Sequence, residues 1–189
     1  MKQRKYFRKI PGASVYLSPM NPEDFEIYTA WINDLGISLG LGSSTANFAL
    51  PNEKDLLEKL ASQGHNYAIV SSGDDTLVGN CSLFDIDHLN RKAEMGIFIG
   101  DRSNHNKGYG KEAVMLLLSY GFKFLNLNNI MLKVFSFNEN ALALYTKCGF
   151  REIGRRRKSY LTNGKYYDEI FMDILKEGFQ SDFLEDKLP

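Results

Sequence analysis

Gly108 and Gly110 stand where three strand-like apolar runs have ended and a long helical pattern is about to start. The runs at 67–70, 77–84 and 93–99 are separated by the polar turns Ser71-Ser72-Gly73-Asp74-Asp75 and Asp87-His88-Leu89-Asn90-Arg91-Lys92, the pattern of an antiparallel meander. Directly after Asn106-Lys107-Gly108-Tyr109-Gly110-Lys111, the residues Ala113, Leu116, Leu117, Tyr120 and Phe124 recur at helical spacing. A meander followed by strand–helix–strand units excludes a purely parallel sheet. The fold class is therefore α/β of the mixed α+β kind.

Earlier in the chain, residues 13–17 read as a strand. Asn21-Pro22-Glu23-Asp24 opens a helix carrying Phe25, Tyr28, Ile32 and Leu35, and Asn52 caps another with Leu56, Leu57 and Leu60. Residues 36–49, rich in Gly and Ser and without period, read as a long functional loop. Further on, 129–137 is a strand, 139–147 a short helix and 150–157 a strand. Asn163-Gly164 then marks a hairpin turn before a returning strand at 165–175.

A chain of 189 residues fits one domain. We place it at 13–176, between a basic segment at 1–12 and a charged tail at 177–189. Lys plus Arg and Asp plus Glu both number 23, so no global attraction to nucleic acid is encoded. Arg155-Arg156-Arg157-Lys158 remains a local basic patch beside a hairpin. Cys81 and Cys148 lack metal-ligand or redox spacing, and His65, His88 and His105 build no metal set, so no metal is expected. Without a signal-type or membrane-length apolar run the expectation is a soluble, cytoplasmic protein, monomer or homodimer.

A glycine loop opening a helix suits a phosphate-bearing ligand. A P-loop is excluded, because His105 and Glu112 replace the required Gly and Ser/Thr. A dinucleotide fold is satisfied by Gly108-Tyr109-Gly110-Lys111-Glu112-Ala113, although the entry loop is long and a meander precedes it. Acyl-coenzyme A, with its pyrophosphate on consecutive backbone N–H groups, is the third candidate.

Four phrases, in order, bear on this choice: Ala93-Glu94-Met95-Gly96-Ile97, Lys107-Gly108-Tyr109-Gly110-Lys111-Glu112-Ala113, the run Asn138-Glu139-Asn140-Ala141-Leu142-Ala143-Leu144-Tyr145-Thr146-Lys147-Cys148-Gly149-Phe150, and Asp168-Glu169-Ile170-Phe171-Met172. They resemble the GCN5-related N-acetyltransferase superfamily, in particular its ribosomal-protein and polyamine branch. The resemblance implies a central, mostly antiparallel mixed sheet flanked by helices on both faces, and acetyl-coenzyme A as acetyl donor. It implies coenzyme contacts from Ile97, Phe98 and Ile99 and from the loop of His105, Asn106, Lys107, Gly108, Tyr109, Gly110 and Lys111. His105 departs from the Gln or Arg the superfamily often carries there.

By the same resemblance Tyr145 is the acid that protonates the departing thiolate and Glu94 the base, acting alone or through water, that frees the acceptor amine. Asn138 has two readings, a helix N-cap or a hydrogen bond to the pantetheine arm. The acceptor is a peptide N-terminus, a polyamine or an aminoglycoside; for the cationic ones Asp85, Asp87 and Glu94 are at hand. A non-catalytic acyl-coenzyme A binding module and a nicotinamide-dependent oxidoreductase remain as rival classes.

Overall fold

The computed structural model describes residues 5–180. The expected frayed tail at 182–189 lies outside the described residues. Alternating apolar side chains build one eight-stranded sheet in the order β1-β2-β3-β4-β5-β6-β8-β7. β1 (Ile10–Pro11), β2 (Val15–Pro19), β3 (His65–Ser71), β4 (Leu77–Asp87) and β5 (Lys92–Ile99) run as antiparallel neighbours. α4 (Tyr109–Lys123) carries the chain back over the sheet, so β6 (Asn129–Phe135) lies parallel to β5. β8 (Lys165–Leu175) inserts between β6 and β7 (Arg151–Thr162), antiparallel to both. The Asn163-Gly164 turn joins them with both residues at positive φ, 48° and 69°, as a type I′ hairpin requires.

Period-two alternation sends the two sides of the sheet into two cores. On one face Leu17, Ile69, Leu83, Met95 and Ile130 meet Leu116, Leu117 and Phe122 of α4, Tyr145 of α5 (Glu139–Lys147) and Cys148 just after it. Each fully buried leucine contributes about 1.5–3 kcal/mol relative to exposure. On the other face Tyr16, Ala68, Val70 and Leu77 meet Tyr28 of α1 (Phe25–Ile32) and Leu57 of α3 (Leu50–Ser62). Helices therefore flank both faces, but unequally: Phe98 is the last sheet residue packed into the second core. Beyond it, the same face of β6, β8 and β7 carries half-buried and exposed residues.

Several sequence expectations need correcting. The stretch 36–49 is not all loop, because α2 (Leu35–Leu41) forms there, started by the Asp34 carboxylate accepting from Gly36 N at 2.6 Å and ended by Gly42 at φ 74°. Its three glycines hid its period. α1 stops at Ile32, which leaves Leu35 65% exposed at the start of α2 instead of on the α1 stripe. α3 begins at Leu50 with Pro51 in its first turn, so Asn52 lies inside the helix and is not its cap. Leu56 and Phe124, placed on buried faces by spacing, are exposed; each sits a step round the helix from the stripe that packs.

Candidate active site

A gap opens in the middle of the sheet. β5 and β6 pair only at Lys92↔Asn129, Ala93↔Ile130 and Glu94↔Met131, after which they separate while each keeps its outer neighbour. The hydrogen-bond alternation fixes what faces the gap. Gly100 N donates to Val78 O at 2.9 Å, so residues 98 and 100 turn their backbone toward β4 and residues 97 and 99 turn theirs away from it. Ile97 thus presents both N–H and C=O to the gap, and Ile99 its N–H. The Ile99 carbonyl already has a partner, since His105 Nε2 lies 3.3 Å from it. His105, placed by the sequence among the ligand contacts, ties the loop back to the strand end.

The loop that follows is sharply bent. Asp101 Oδ1 accepts from Ser103 N at 2.7 Å, Asn106 has φ 61° and Gly108 has φ 84°, and α4 starts at once with no side chain capping it. Its first backbone bond, Glu112 N to Gly108 O at 3.0 Å, leaves the N–H groups of the opening turn for an anion. No atom lies within 4 Å of where a Gly108 side chain would begin. That open cradle of N–H groups fits a pyrophosphate, and the unpaired β5 edge fits an extended amide-bearing arm, so the residues present suit acyl-coenzyme A. Lys107 Nζ bonds Asn104 Oδ1 at 3.2 Å and lies over the Tyr109 ring, while Lys111 is exposed at the first turn.

α5 comes to the same point. Leu144 Cδ2 and Ile99 Cγ1 lie 3.6 and 3.7 Å from a Cβ built on Gly110, so helix, strand and loop meet there. The next residue, Tyr145, is 8% exposed and stands edge-on to Phe150. Burial, with a smaller contribution from Cys148, pushes its hydroxyl up to about 12. Among the described residues no partner hydrogen-bonds that hydroxyl. Cys148 is itself pushed up to about 11 by burial, against the opposing pull of Lys111. Asn138 resolves its two readings in an unforeseen way: Oδ1 accepts from Ala141 N at 3.2 Å as the cap, and the amide N–H donors are left over.

Glu94 sits apart. It is half-buried at the root of the gap, on the face opposite Tyr145, with Lys133 Nζ 3.5 Å from its carboxylate. Three residues of strand separate it from Ile97, roughly 10 Å. Asp85 and Asp87 lie still farther along the β4–β5 hairpin, where Asp87 caps Asn90 N at 2.9 Å, so they do not share the gap.

Sequence reasoning missed three features. Glu112 accepts from the backbone N–H groups of Ala13 and Ser14, pinning the first hairpin to the opening turn of α4. α2 lies across the mouth of the gap and touches both lips: Gly36 abuts Arg102, which pairs with Asp34 at 3.3 Å, whereas Gly40 and Gly42 abut Asn138 and Phe135. The four-residue spacing of Gly36 and Gly40 was the available signal. Finally Phe135, Phe137, Tyr160 and Tyr167 pack into one aromatic cluster, with Tyr160 held 3.0 Å from Ser44 Oγ. Among the described residues there is no cluster of three or more His, Cys, Asp or Glu side chains placed to hold a metal, and no helix long and apolar enough to cross a membrane.

Known proteins are similar to this chain in sequence and in fold. The spermidine N(1)-acetyltransferase of Escherichia coli K12 is 31% identical over 182 residues, covering 95% of each chain. The putative ribosomal N-acetyltransferase YdaF of Bacillus subtilis is 32% identical over 109 residues, 58% of this chain and 59% of that one. The crystal structure of the Vibrio cholerae spermidine N-acetyltransferase in complex with CoA and spermine superposes with a TM-score of 0.78 at 25% identity, covering 87% of this chain and 97% of that one. Residues 14–151 match the family described as "Acetyltransferase (GNAT) domain". A sheet split between β5 and β6 over an uncapped helix start is thus read in its family setting: the chain belongs to the GCN5-related N-acetyltransferases, acyltransferases that draw on acetyl-coenzyme A.

Proposed function

We propose that this protein moves acetyl directly onto a primary amine, and that the acceptor is a slender polyamine-like molecule in preference to a protein N-terminus. The observation that carries the reading is the gap itself, with backbone donors on one lip and the buried Tyr145 helix against it. α2 bridges the mouth at both lips, so an acceptor reaches the gap beneath it, which suits a flexible chain. The long relative from Escherichia coli is named for spermidine, in keeping with this choice.

Acetyl-coenzyme A supplies an activated thioester. The chain's own groups do the rest. The opening turn of α4 holds the pyrophosphate on Tyr109, Gly110 and Lys111 N–H. Ile97 N–H donates to the thioester carbonyl oxygen as negative charge grows there, a contribution of about 3–4 kcal/mol for a well-placed donor. Glu94 takes the amine proton through a water chain, since about 10 Å of strand lies between it and Ile97. Tyr145, held neutral by burial across the whole physiological range, gives its proton to the departing thiolate.

Thiol release from acetyl-coenzyme A is the test, measured with polyamines, N-terminal peptides and aminoglycosides side by side. Polyamines are expected to respond most strongly. A response to peptides alone removes the polyamine assignment, and no release with any amine removes the reaction.

A further inference from the structure

The sheet face toward which the gap opens carries three carboxylates whose situations differ. Glu94 is matched by Lys133 at 3.5 Å, and Asp173 accepts from Asn129 Nδ2 at 2.6 Å. Glu169 is half-buried and, among the described residues, makes no ion pair or hydrogen bond through its side chain. Arg156 stands opposite it on β7 without pairing to it. A carboxylate drawn partly out of water and left without a cation is costly unless a ligand supplies one.

Register says where Glu169 stands. Glu94↔Met131 sets Ile97 level with Val134, and Phe135 pairs with Glu169, so Glu169 lies one residue along from the level of Ile97 and two strands across. In a regular sheet that separation would be on the order of 10 Å, and the parting of β5 from β6 beyond Glu94 lengthens it. The ring of Phe135 lies between, stacked on Tyr160 at 4.2 Å and so close to Gly42 that a Cβ built there would stand 2.9 Å from the ring edge. An aromatic floor between a reacting centre and an unmatched carboxylate suits an alkyl chain with ammonium groups at both ends.

We infer that Glu169 is the specificity-determining residue of the acceptor site: it holds the distal ammonium of a diamine or longer polyamine laid over Phe135 while the near amine reacts at the gap. This rests on the acetyl-transfer reading above. It predicts selection by a second positive charge at a set distance, which a plain primary amine does not have.

The experiment compares 1,6-diaminohexane with hexylamine on the wild type, Glu169→Gln and Glu169→Asp, by thiol release and by calorimetric titration in the presence of coenzyme A. In Glu169→Gln the KM for the diamine should rise about tenfold, the scale of one charge-assisted hydrogen bond. Its kcat, the KM for hexylamine and the KM for acetyl-coenzyme A should hold, and Glu169→Asp should recover most of the loss. Unchanged values for hexylamine also show that the variant is folded. An unaltered diamine-to-monoamine ratio in Glu169→Gln overturns the assignment. If the wild type releases thiol with neither amine, the polyamine-like acceptor reading falls; calorimetry then decides on Glu169 separately, because diamine heat that disappears in Glu169→Gln sustains it and heat that persists refutes it.

Discussion

The two sides of the gap are made of different material. On the side proposed for the coenzyme the features are backbone: Ile97 and Ile99 at an unpaired strand edge, the positive-φ positions Asn106 and Gly108, and the uncapped start of α4. On the acceptor side they are side chains, gathered from β5, β6, β8 and β7 by register: Glu94, Lys133, Phe135, Glu169 and Tyr160. A backbone site can keep its ligand while its side chains drift. A side-chain site can be retuned one residue at a time without moving the coenzyme. On the proposed reading the fold thus keeps the donor site, made of backbone, apart from the acceptor site, made of side chains.

Tyr145 gives the largest test of that division, because its proposed role is on the coenzyme side yet runs through a side chain. Tyr145→Phe should lower kcat about a hundredfold, the low end for a lost general acid, with the KM for acetyl-coenzyme A unchanged. Titration of tyrosinate absorbance should show one ionisation near 12 in the wild type that the variant lacks. The sign follows from linkage: the folded value is raised above the unfolded value of about 10, so the stabilising effect is complete below pH 10 and is lost as pH climbs toward 12. Unchanged turnover in the variant would end the role given to Tyr145.

The same division explains what could be read from the sequence. A backbone site announces itself locally, because Gly108 must tolerate φ 84° directly before α4 opens at Tyr109, and both stand within one short phrase. The Asn163-Gly164 turn and the α5 boundaries were legible for the same reason. The acceptor face was not, since Glu169 meets Phe135 only through the β6–β8 register, 34 positions apart in the chain. α2 escaped because Gly36, Gly40 and Gly42, which let it press against Arg102, Asn138 and Phe135, look like loop residues when their partners are unknown.

Next in size comes a contrast within the glycine loop. Gly108→Val forces a β-branched residue into the left-handed region at a cost of about 1–2 kcal/mol, although nothing crowds the site. The KM for acetyl-coenzyme A should rise about tenfold and the melting temperature should fall. Gly110→Ala carries no such strain, because its Cβ would meet Leu144 and Ile99 at ordinary contact distances of 3.6 and 3.7 Å. It should leave the melting temperature in place and raise the KM alone, because only a ligand approaching the helix start would feel the methyl group. Equal losses of stability in the two variants would break the claim that Gly110 is kept for the ligand.

The smallest effect is expected on the acceptor side, at the Glu94–Lys133 pair. Its members are 23% and 46% exposed, so the pair is worth at most about 1 kcal/mol, and Lys133→Met should barely move the melting temperature. Activity separates the two residues more sharply. If Glu94 relays the amine proton through water, Glu94→Gln should lower kcat several-fold at neutral pH, while Lys133→Met keeps most of the rate. Because roughly 10 Å of strand lies between Glu94 and Ile97, the loss should be far below that of Tyr145→Phe, where the transferring atom itself is removed. A Glu94→Gln variant with full rate would end the relay role and leave Glu94 as the partner of Lys133, which stands on the strand next to that of Glu169.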